Sequence, residues 1–200
     1  MSRGKISSTE TSPQTLIAKP KRADALRNYE KILEVAREAF AEGGESTALE
    51  EIARRAGVGI GTLYRNFPNR QALLEALYVE EVQQMSLAAS EMDHPDPWEA
   101  LNAWFERFMK YVATKRALAA ELQNYLDPDA PLFTVCRATL FESGEPLLTR
   151  AQEAGVVRPD VTIGEVIHML VGIAKIPGEP GQNEHILRVA LDGLRYRADG

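Results

Sequence analysis

The 200-residue chain is 44% hydrophobic with a formal charge of −6, enough for a compact core arranged as one large domain or a small one joined to a larger. Its single cysteine, Cys136, excludes an internal disulfide framework, and no Cys/His spacing suits zinc, so neither metal nor cofactor is expected. No run approaches the about 18 apolar residues of a membrane span, and the polar first twenty residues lack the apolar core of an export signal; a cytoplasmic protein without membrane contact is expected.

Charge is spread unevenly. Through Ala72 there are 12 Lys/Arg against 9 Asp/Glu, a net of +3, whereas the remainder holds 11 against 20, a net of −9. A cationic head on an acidic body suits phosphate contact at one end, although such differences are common in chains that never touch nucleic acid.

Residues 1–22 mix Ser, Thr, Pro and Lys without periodicity and end in Lys19-Pro20-Lys21-Arg22. They read as a disordered basic arm, either a solvated tail or a segment that touches DNA. Beyond it the apolar spacing is helical almost throughout, so the fold class is all-α, with about nine helices. Tyr29, Ile32, Leu33, Ala36 and Phe40 form one face of a first helix that stops at Gly43-Gly44. Thr47 with Glu50 reads as a capping box for a short second helix ended by Gly57. A third, from about Ile60 to Phe67, must stop before Pro68; Asn69 then caps a long fourth helix. Two short helices around a glycine turn, packed on a longer one, form a helix-turn-helix across residues 23–72, unless they are only a generic three-helix element.

The string from Leu49 through Gly57-Val-Gly-Ile-Gly-Thr-Leu-Tyr-Arg-Asn-Phe-Pro-Asn-Arg-Gln to Leu77 closely resembles the DNA-binding signature of the tetracycline-repressor (TetR/AcrR) family. The strong likeness covers about Leu26 to Leu77, and Arg150 to Asp160 is similar to one actinobacterial-type branch. The resemblance implies a homodimer whose recognition helices read successive major grooves of a double-stranded operator, with an effector-binding body over residues 73–200. It implies a phosphate contact from the Tyr64 hydroxyl, a phosphate or base contact from Thr62, close backbone approach at Gly61 and a phosphate contact from Arg70 at a helix start. Ile60, Arg65 and Asn66 remain for base edges. A phosphate contact from Thr47 is implied less directly, because the family's common Thr falls on Ala48; Gly59 stands where Ser is usual. Leu63 and Phe67 read as core.

In the body, Asp96-Pro97-Trp98-Glu99 opens a helix with a broad apolar stripe, and a further helix is expected over about Ala117 to Leu126. Another begins near Pro131 and should kink or break at Pro146. The family's bodies enclose a pocket, so Trp104, Phe105, Phe108, Met109, Tyr125, Phe133, Phe141, His168 and Met169 are candidates to line a site for a small apolar effector, although such residues also build ordinary cores. The last two helices, about Thr162 to Lys175 and Asn183 to Arg197, carry Val166, Leu170, Ile173, Leu187, Leu191 and Leu194 as expected dimer contacts, or as faces packed on their own chain. No nucleophile elbow, phosphate loop or metal pattern supports an enzyme. The expectation is a repressor released from a palindromic operator by its effector; a dimeric DNA-binding protein without an inducer is the alternative.

Overall fold

The computed structural model describes residues 13–177 and 182–195. Its elements are α1 (Pro13–Leu16), α2 (Ala23–Gly43), a 3-10 turn (Gly44–Ser46), α3 (Leu49–Arg55), α4 (Ile60–Asn66), α5 (Arg70–Ser90), α6 (Pro97–Leu122), α7 (Pro131–Glu153), α8 (Ile163–Ala174) and α9 (Gln182–Asp192). The only β pairing among the described residues is one bridge between Val157 and Arg195.

Local chemistry sets most of the helix ends. Asn69 accepts a hydrogen bond from the Ala72 N–H at 2.8 Å and caps α5. Asp96 does the same for α6, and Thr162 with Glu165 makes a reciprocal capping box for α8. Gly57 closes α3 with φ +64°, a conformation that costs a side chain dearly.

The long fourth helix is the spine. α5 buries Leu73, Leu74 and Leu77 against the head, and Tyr78, Val82 and Met85 continue the core into the body. The division expected after residue 72 therefore falls inside a continuous helix, because apolar residues on several of its faces serve both halves. Trp104, Phe105 and Phe108 of α6 are almost wholly buried, each worth roughly 1.5–3 kcal/mol of transfer free energy.

Four expectations are corrected. Thr47 does not cap α3: Ala48 occupies that position without a side-chain bond, and the Thr47 hydroxyl instead donates to the Ala39 carbonyl at 2.9 Å. The helix expected over Ala117 to Leu126 is the end of α6, which runs unbroken to Leu122 because its buried stripe continues. Helix α7 passes through Pro146 without interruption. Pro146 and Glu142 both lie on the exposed face, so the Glu142 carbonyl that loses its helical donor is open to water. Finally, the N-terminal arm is ordered in its second half. Pro13 is buried, Leu16 and Ile17 pack on the core, and Lys19 Nζ reaches Glu80 Oε2 at 2.8 Å, so this stretch rides on the body. The rest of the expected arm, residues 1–12, lies outside the described residues.

Candidate nucleic-acid interface and effector cavity

The two short helices stand against α2 with one face of α4 outward. Leu63 and Phe67 turn inward and are buried, Phe67 stacking on Tyr29 at 4.8 Å between ring centroids. That anchoring leaves Ile60 at 39% and Tyr64 at 43% exposure, two large side chains on the open face of the helix. A Cβ built on Gly61 meets nothing within 4 Å, so its lack of a side chain is not required by packing within the chain.

Arg65 folds back along α4, its Nε donating to the Gly61 carbonyl at 3.2 Å and Nη2 to the Thr62 hydroxyl at 2.8 Å. Asn66 Nδ2 donates to the Thr62 carbonyl at 2.8 Å. Ile60, Gly61, Thr62, Tyr64, Arg65 and Asn66 thus share one short helix, and Arg65 would have to uncoil to reach a groove. On α3, hydrogen bonds from Arg54 and Arg55 hold the carboxyl pKa of Glu51 down to about 2.

Two expected members sit elsewhere. Thr47 is buried under the 3-10 turn. Arg70 turns away from α4: its Nε lies 2.5 Å from Glu121 Oε1, it donates to the Thr47 carbonyl, and its guanidinium stacks 4.7 Å from the Phe40 ring centroid. A buried carboxylate partner outcompetes water for the fork, which draws Arg70 inward as a tether between head and body.

The body holds a half-open cavity of about 580 Å³ between α5, α6, α7 and α8. Of the nine expected wall residues, Phe108, Phe133, Phe141 and His168 line it. Trp104 and Phe105 are instead core: Trp104 is fully buried, its indole N–H donating to the Met85 carbonyl at 3.4 Å. Met109 and Met169 pack beside the core, and Tyr125 is exposed beyond the end of α6.

Lys115 is the buried charged wall residue that the sequence reading missed, with Tyr78 and Tyr111 beside it. It is buried, donates from Nζ to the Tyr111 hydroxyl, and lies 3.5 Å from the Tyr78 ring centroid. Burial pulls its pKa from 10.5 down to about 7, and pushes the neighbouring Cys136 thiol up to about 11. The signal was present in register: Leu101, Trp104, Phe108 and Tyr111 define a buried stripe whose next position is 115.

Five of the six expected dimer contacts, Val166, Leu170, Ile173, Leu191 and Leu194, are buried within the chain, where they join α8 and α9 to the body; Leu187 is half-buried. The outer surface at these helices instead shows Gly172, Ile176 and Val189, with Val189 at 58% exposure. No described helix is long and apolar enough to cross a membrane.

Comparison with known proteins accounts for both halves. Residues 32–77 match the family described as bacterial regulatory proteins, tetR family, and residues 96–196 match the C-terminal domain of SbtR-like transcriptional regulators. The TetR transcriptional regulator SCO0520 from Streptomyces coelicolor is 37% identical and superposes with a TM-score of 0.74, over 85% of this chain and 99% of that one. A TetR regulatory protein from Mycobacterium vanbaalenii is 36% identical with a TM-score of 0.71, over 88% and 99% of the two chains. The Transposon Tn10 TetC protein of Escherichia coli is 29% identical over 86 residues, which is 42% of this chain and 44% of that protein, so this curated relative is matched over less than half its length. Regulators of this kind bind DNA operators, act as dimers and are not enzymes. With two short helices around a glycine turn in its head, its helical body and matches that together span most of its length, the chain belongs to the TetR family of DNA-binding transcriptional regulators.

Proposed function

We propose that this protein is a cytoplasmic homodimeric repressor that leaves a palindromic operator when a small molecule fills the cavity of its body. The observation that carries the reading is the course of α6. The same helix walls the cavity through Phe108, Lys115 and Ala119 and, two residues beyond Ala119, holds Arg70 of the head through Glu121. Filling the cavity on one side of α6 therefore has a route to the head on the other.

In this reading Ile60, Gly61, Thr62, Tyr64, Arg65 and Asn66 form the groove face, with Tyr64 on phosphate and Arg65 and Asn66 on base edges. Arg70 serves the coupling rather than phosphate binding. The outer face of α8 and α9, with Val189, Ile176 and the open approach at Gly172, forms the dimer seam. The paired recognition helices then meet half-sites about 34 Å apart. Effector binding shifts the population toward bodies that hold the heads at another separation.

The test is selection of bound sequences from random DNA at one stated salt concentration, followed by titration of candidate effectors into the protein–operator complex. Recovery of a palindrome that is released by a ligand supports the reading. A recovered palindrome that no cavity ligand releases favours a dimeric DNA-binding protein without an inducer.

A further inference from the structure

Resting on the reading of the cavity as an effector site, we infer that the effector is an amphipathic organic anion, its acidic head on Lys115 and its apolar body along Phe108, Phe133 and Phe141. Among the described residues the wall contains Lys115, Arg137, His168 and Lys175 and no Asp or Glu. This happens in a body where, from residue 73 onward, acids outnumber bases 20 to 11. A wall drawn at random from that composition would hold more acids than bases; this one is cationic or neutral throughout its described residues.

Depth separates the cations. Arg137, His168 and Lys175 are exposed at the rim, where they raise the local concentration of anions. Lys115 is buried among rings. Its partners are the Tyr111 hydroxyl, the faces of Tyr78 and Tyr111, and the field of Glu81. Glu81 itself is paired with Arg37, and among the described residues no carboxylate forms an ion pair with Lys115. A buried ammonium without a carboxylate partner is costly, as its depressed pKa records. An entering anion supplies the missing countercharge in a low-dielectric wall. A neutral guest leaves that cost in place, and a cationic guest adds repulsion. A volume of about 580 Å³ lies within the roughly 300–1,000 Å³ of sites for drug-sized molecules.

Two fluorescent probes that share an aromatic body isolate the charge: anilinonaphthalene sulfonate, an anion, and phenylnaphthylamine, its neutral counterpart. Both are titrated into the full chain as wild type, Lys115→Met, Lys115→Arg and Val171→Trp, the last narrowing the cavity from α8. The expected result is that Val171→Trp weakens both probes. Lys115→Met weakens the sulfonate by about ten-fold or more while leaving the neutral probe within about two-fold, and Lys115→Arg retains the sulfonate. If Val171→Trp blocks both probes but Lys115→Met leaves sulfonate binding intact, the anion assignment is overturned while the cavity stands as a site. Should neither probe respond to Val171→Trp, the cavity reading itself fails, and the effector class falls with it.

Discussion

Arg70, the first residue of α5, and Glu121, next to last in α6, form an ion pair of 2.5 Å between residues 51 positions apart. The carboxylate is 8% exposed and the guanidinium 20%, so the pair is screened much less than a surface bridge. It joins the head to the body, and removing one partner strands the other.

Glu121→Gln should therefore lower stability by about 1–3 kcal/mol, because Arg70 keeps its bonds to the Thr47 carbonyl and the Phe40 ring. Urea denaturation gives this number. With the tether weakened, operator affinity of the free protein should change less than the ligand-induced loss of that affinity, read by fluorescence anisotropy. Intact release with intact stability would remove Arg70–Glu121 from the coupling.

Gly61→Ala separates fold from DNA contact. No atom lies within 4 Å of the new methyl, and alanine is favoured over glycine in a helix by roughly 1 kcal/mol, so thermal stability should hold or rise. If this face meets DNA, operator binding should weaken all the same. Tyr64→Phe, at an exposed position, should leave the melting temperature unchanged and reduce operator affinity by about 1 kcal/mol through the lost hydroxyl.

Lys115 makes stability depend on pH. Its pKa is depressed in the folded chain, so between pH 7 and the ordinary lysine value of 10.5 the unfolded state holds a proton that the folded state has lost. Stability contributed by this group must then rise with pH through that window, at up to about 1.4 kcal/mol per pH unit, and be flat below pH 7. Cys136, raised from 9.0 to about 11, opposes it above pH 9, because the unfolded thiol ionises first. The clean interval is pH 7 to 9, where denaturation of wild type and Lys115→Met should diverge. Parallel curves would mean that Lys115 keeps its proton in the fold.

Gly144→Ala tests the contact of α7 with α6 and α8. The added Cβ would lie 2.6 Å from Trp104 Cη2 and 3.1 Å from Ile163 Cδ1, and Trp104 is locked at full burial. A loss of about 1–3 kcal/mol is expected from overpacking, despite the helix propensity gained. Calorimetry showing no loss would indicate that the indole has room to shift.

Val189→Glu places a charge on the exposed face of α9. Light scattering should show a lower dimer fraction with helicity unchanged, since the side chain contributes little to its own chain's core. An unaltered dimer would move the seam off this face.

Much of this protein follows from local rules that sequence expresses directly. Helix spacing, the Asn69, Asp96 and Thr162 caps and the glycine at 57 depend on neighbours within a turn or two, and the string from Leu49 to Leu77 carries the family resemblance by itself. Which way a long side chain turns depends on partners far along the chain, and there tertiary structure decided. Arg70 at a helix start suits a phosphate equally well; only the approach of Glu121 draws it inward. Aromatic residues at helical spacing suit core and cavity alike, and the packing of α7 and α8 over α6 assigned Trp104 to one and Phe108 to the other. Lysine in an amphipathic helix suits solvent, yet the stripe of α6 carries Lys115 under three neighbouring helices, where burial rather than sequence sets its charge.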